Sequence, residues 1–103
     1  SEINMENKYE YDEDHAVEAM LAALGVPATD ELRDCALETI DLIFDFYDNN
    51  DGLAIDNYND DDADLIAAYV AERFKRQPAT AELSAGQIKA MVVAELEYED
   101  SLI

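Results

Sequence analysis

The sequence predicts an all-α fold, a four-helix arrangement of two antiparallel helical hairpins behind a short flexible N-terminal arm. Three observations carry the prediction. Apolar residues recur at steps of three and four in four separate stretches, the spacing that lines one side of a 3.6-residue helix. Helix-stopping residues divide these stretches: Gly25 and Pro27, the run Asn49-Asn50-Asp51-Gly52, and Gln77-Pro78. Each half of the chain also reads as helix, corner, helix, with PATDEL at 27–32 answered by PATAEL at 78–83.

The elements follow in order. Residues 1–11, SEINMENKYEY, are polar and weakly periodic and read as a loose arm, with Tyr9 and Tyr11 available to dock on the body. The first helix runs from about Asp12 to Leu24 on a stripe of Val17, Met20, Leu21 and Leu24. Asp12, Glu13 and Asp14 stand in its first turn, where the positive end of the helix dipole favours them. Gly25 ends it and Pro27 prevents its continuation. Thr29 is the N-cap of the second helix, followed by Asp30 and Glu31.

That helix, to about Asn49, is the longest periodic run. Leu32, Cys35, Ala36, Ile40, Ile43, Phe44 and Tyr47 make its stripe, widened by Leu37, Leu42 and Phe46. Positions 53–59 read as an irregular connection anchored by Leu53, Ile55 and Tyr58. A third helix spans Asp60 to about Arg76, with acids at its start and Arg73, Lys75 and Arg76 at its end, the order the dipole prefers. The fourth has the clearest start: Ser84 and Gln87 form a capping box, flanked by Leu83 and Ile88 as a hydrophobic staple. Ile88, Met91, Val92 and Leu96 continue its stripe, Tyr98 closes it, and fraying is expected after Asp100. The 103 residues fit one domain, 1–103, with a weak internal repeat of 12–49 in 60–99 at an offset of 51. A PAT corner before a helix is common enough that chance also explains the match.

Composition narrows the function. There are 26 acidic and 6 basic side chains, a formal net charge of -20, beside 50% hydrophobic residues. The apolar content supports a folded core, and the charge opposes it by self-repulsion that salt screens. Stability is therefore expected to rise with NaCl, and a melting temperature that is flat or falls as salt is added would contradict this. Free nucleic acid is disfavoured as a direct ligand, because its binders use Lys and Arg to release counterions. Anionic membrane surfaces are disfavoured for the same reason, and no apolar run reaches the length of a membrane span. A cytoplasmic location is expected, or the host cytoplasm for a phage-encoded protein. The single cysteine, Cys35, lies in an apolar stripe and reads as a buried thiol.

Constellations for chemistry are absent or incomplete. DNNDG at 48–52 resembles a calcium loop, but with Gly52 at the sixth position the first and twelfth are Tyr47 and Tyr58, where carboxylates are required. One His and one Cys at no ligand spacing give no zinc site. His15, early in the first helix among acids, reads as an exposed side chain with no nucleophile beside it. Acyl carriers share size and charge, but the only DSL here is Asp100-Ser101-Leu102, at the wrong end. No catalytic residue, metal or cofactor is expected, and the chain is not expected to be an enzyme.

What remains is the acidic surface. Glu31, Asp34, Glu38, Asp41, Asp45 and Asp48 recur at three, four or seven residues on the outer side of the second helix. Asp51, Asp56 and Tyr58 in the connection and Asp60, Asp61 and Asp62 at the next helix start extend the set as a partner-binding surface. Residues 1–51 hold 15 acids and 2 bases, which centres the charge on the first half. Helical carboxylates in such a row recur every 4.5–6 Å or so at about 1.5 Å rise per residue. Two or three rows side by side give a charge density of the same order as duplex phosphates, about one per 1.7 Å of axis. In charge, size and helical character, though not in any motif, the chain resembles the small acidic nucleic-acid mimics, the phage anti-restriction and anti-CRISPR inhibitors. That resemblance implies an inhibitor that occupies the basic cleft of a DNA- or RNA-binding protein or nuclease. Two alternatives fit the same composition: an antitoxin or immunity protein, or a structural or assembly protein whose acidic surface keeps it soluble. A charged face is also, in most proteins, simply a solvated one.

Overall fold

A computed structural model describes residues 11–49, 60–76 and 83–102. The described residues form four helices: α1 (Glu13–Leu24), α2 (Asp30–Asn49), α3 (Asp60–Arg76) and α4 (Ala85–Ser101). Among the described residues there is no strand, and the all-α, four-helix expectation holds.

The local reasons are those of the sequence. Asp12 caps α1, its side chain accepting from the backbone N–H groups of Asp14 and His15. Gly25 closes α1 at φ 70°, in the left-handed region that glycine occupies without a Cβ penalty, and its N–H bonds the Ala22 carbonyl. Thr29 Oγ1 accepts from the Leu32 N–H at 3.1 Å, as an N-cap does. At α4 both halves of the capping box form: Gln87 N–H donates to Ser84 Oγ at 3.1 Å, and Ser84 N–H to Gln87 Oε1 at 2.8 Å. Fraying after Asp100 is not what the structure shows. The helix continues to Ser101, whose hydroxyl donates to the Tyr98 carbonyl, and Leu102 N–H still reaches the Glu99 carbonyl.

Each helix touches the next along the chain, and α4 returns to α1, so the four close a ring. The diagonal α2–α4 pair also touches, whereas α1 and α3 do not. The core consequently divides in two. One half gathers Leu42, Ile43 and Phe46 of α2, Ile66 and Val70 of α3, and Ile88, Val92 and Leu96 of α4. The other gathers Val17, Met20 and Leu21 of α1, Ala36 and Ile40 of α2, and Met91 of α4. Leu83 borders both, as the staple position suggests. Cys35 is buried and His15 is exposed. Phe44 and Tyr47, expected in the core stripe, are only half-buried, because they form the rim where Tyr11 lies across the end of the bundle.

Candidate functional site

The acids expected to meet a partner divide into three groups. Glu31, Asp34, Asp41 and Asp48 are exposed on α2, and Glu38 is half-buried beside them. At 3.6 residues per turn these five, with Asp30 and Asp45, fall in a sector about 100° wide, and they extend along about 27 Å of axis. None of Glu31, Asp34, Glu38, Asp41 and Asp48 forms an ion pair among the described residues. Arg33, the base of α2, turns to the α1 side and lies 3.9 Å from Asp14. Apart from Asp45, the ridge thus has no base beside it among the described residues.

Asp45 belongs to the ridge by position but is already engaged. It accepts a hydrogen bond from the Tyr69 hydroxyl, and Arg73 stands 4.0 Å away with its guanidinium over the Tyr69 ring. The charge of Asp45 therefore helps fasten α2 to α3. Asp60 opens α3, Asp61 is exposed and Asp62 half-buried on the same turn. Asp51, Asp56 and Tyr58 lie outside the described residues, as do Tyr9 and the PAT corner at 78–80. Acids also stand exposed on α1 (Glu13, Asp14, Glu18), α3 (Asp61, Asp64, Glu72) and α4 (Glu97, Asp100), so the α2 ridge is one row on a widely acidic surface.

Two acids are not on the surface at all. Glu95 and Glu99, one turn apart on α4, are each 0% exposed. Glu95 Oε2 accepts from the Tyr11 hydroxyl at 2.7 Å, and Glu99 Oε1 accepts from the Tyr47 hydroxyl at 3.0 Å. The second oxygens, Glu95 Oε1 and Glu99 Oε2, meet no other donor and no base among the described residues. The two carboxyls lie close enough for each to influence the other's titration. Burial raises the Glu95 carboxyl, with the hydrogen bonds from Glu99 and Tyr11 opposing. Burial also pushes Glu99 up, to about 10, reinforced by the Glu95 hydrogen bond and charge and opposed by Tyr47. Tyr11 is raised above an ordinary phenol by burial first, then by the charge of Glu95.

The rings over this pair form a continuous row. Tyr98 meets Tyr11 edge-on at 5.3 Å, Tyr11 meets Phe44 at 5.5 Å, and Phe44 meets Tyr47 at 5.6 Å. The Asp12 N–H donates to the Tyr98 hydroxyl at 3.0 Å, closing the seam between the start of α1 and the end of α4.

Sequence reasoning passed over Glu95 and Glu99. A pattern was available: each lies seven residues after an apolar position of the α4 stripe, Ile88 and Val92, so both fall on the buried track. Among the described residues no group of three or more His, Cys, Asp or Glu side chains could hold a metal ion. No described helix is long and apolar enough to cross a membrane. Comparison with protein-family models, with curated proteins and with solved structures finds no match.

Proposed function

We propose that this protein is an acidic decoy that occupies the basic, nucleic-acid-binding cleft of a DNA- or RNA-binding protein or nuclease. The observation that carries the reading is the α2 ridge: carboxylates in one sector of a single helix, of which only Asp45 has a base beside it among the described residues. Charge held on a helix is preorganised, so a partner meets a fixed array. Such an array speeds encounter with a basic surface and fixes its orientation. The net charge of -20 adds a long-range field of the same sign, which salt shortens. In this reading the protein performs no chemistry and uses no cofactor or metal.

The test is capture at moderate salt followed by competition. Retained proteins are expected to be basic nucleic-acid binders, to be released as NaCl rises, and to lose the complex when duplex DNA or RNA is added. The double reversal Asp34→Lys, Asp41→Lys should slow association by at least tenfold in stopped-flow mixing while changing dissociation less. Those two positions suit the purpose because Asp45, the tempting third, also holds Tyr69 and would confound binding with folding. Binding that ignores salt, or a partner that holds nucleic acid and this protein together, would refute the decoy role.

A further inference from the structure

We propose that Glu95 and Glu99 hold one proton between them, and that this shared proton is the latch fastening Tyr11, just ahead of α1, onto the C-terminal half of α4. The inference is independent of the decoy reading and begins with hydrogen-bond accounting. Four carboxyl oxygens are buried and two phenol hydroxyls reach two of them. The remaining two, Glu95 Oε1 and Glu99 Oε2, are stranded unless a hydrogen lies between them. A proton on Glu99 Oε2, donated to Glu95 Oε1, satisfies both. Glu99 then still accepts from Tyr47, and Glu95, as the carboxylate, accepts from both Tyr11 and Glu99. One buried negative charge is thereby held by two O–H donors. Two such charges a turn apart, with no cation beside them among the described residues, would be far less stable.

Among the described residues the groups around the pair supply no other compensation. From the start of α1 come Tyr11 and, next to it, Asp12, which reaches Tyr98 through its backbone N–H. From α2 comes Tyr47, and from α4 itself Tyr98 flanks Tyr11. From α3 the core shared with α4 receives Ile66 and Val70, which are apolar. When the shared proton is lost to solvent, Glu99 becomes a second carboxylate and the Glu99-to-Glu95 hydrogen bond disappears. The pair must then take up water. Tyr11, Tyr47 and Tyr98 are all half-buried, and of these only Tyr11, lying across Glu95, stands outside a helix, so the Tyr11 seam opens first.

Side-chain ¹³C NMR of the full chain, labelled at glutamate, tests this from pH 4 to beyond pH 10, past the raised Glu99 value. One buried carboxyl is expected to remain at least tenfold more protonated than ionised at pH 7. As that proton leaves, the nuclear Overhauser contact between the Tyr11 and Phe44 rings should fall at least twofold. In Glu99→Gln the amide N–H donates permanently in place of the proton, and the ring contact should persist over the same interval. The idea is overturned if both carboxyls of the wild-type chain titrate in the ordinary range, if the ring contact is unchanged when the proton leaves, or if EDTA shifts the titration, which would put a metal ion where the proton is placed. The wild-type titration decides the matter even if the variant folds poorly.

Discussion

Glu99→Gln is expected to stabilise the protein by roughly 2–4 kcal/mol at pH 7.5 and to leave its stability nearly unchanged at pH 4. The sign follows from proton binding. The Glu99 carboxyl is raised in the folded protein, to about 10, so the native state keeps a proton that the unfolded chain has released above about pH 4.5. Stability from this group is therefore fully present below the unfolded value and declines as pH rises, by about 1.4 kcal/mol per unit for one proton, until the folded value is passed. Glutamine supplies the same donor and does not titrate, so the decline vanishes. Urea unfolding of both proteins at several pH values measures it directly. High salt isolates the effect, because it screens the exposed acids while the pair stays buried. Parallel pH curves for the two proteins would show that Glu99 does not retain a proton.

Leu96→Ala is the second large effect. Leu96 is 0% exposed where α2, α3 and α4 meet. Its truncation should destabilise by about 2–5 kcal/mol, the lost transfer energy plus the cavity left behind. In a domain of this size that lowers the melting temperature by roughly 10–20 °C. The comparison is Leu65→Ala on α3, where Leu65 is 59% exposed, and a change within about 0.5 kcal/mol is expected. Equal losses at the two positions would contradict the assignment of the core. At low salt the Leu96 variant should lie near the edge of folding, because self-repulsion already reduces what the core provides.

Much of this architecture is written locally in the chain. Gly25, Thr29 and the Ser84–Gln87 box act within one helical turn, so their meaning survives without knowledge of the fold. The limits of α3 were legible for a related reason: acids at its start and bases at its end answer the dipole of that helix alone. Glu95 and Glu99 were not legible in the same way. In a chain with 26 acids, two more near the C-terminal end of a helix attract no notice by type, and their hydroxyl partners lie 84 and 52 residues away. Only the seven-residue step from Ile88 and Val92 marked them. The α2 ridge was legible as a periodicity. That Asp45 is drawn into the α2–α3 contact depends on Tyr69 and Arg73 of another helix, and periodicity within α2 carries no information about them.

The edge-to-face row Tyr98–Tyr11–Phe44–Tyr47 has a practical consequence. The chain has no tryptophan, so its optical activity between roughly 270 and 290 nm comes largely from phenol rings held in fixed, asymmetric surroundings. Three of the six tyrosines lie in this one row. Near-ultraviolet circular dichroism is thus weighted towards this end of the bundle without any label, while the far-ultraviolet signal watches all four helices. A loss of the first without the second would report the seam parting on an otherwise intact molecule.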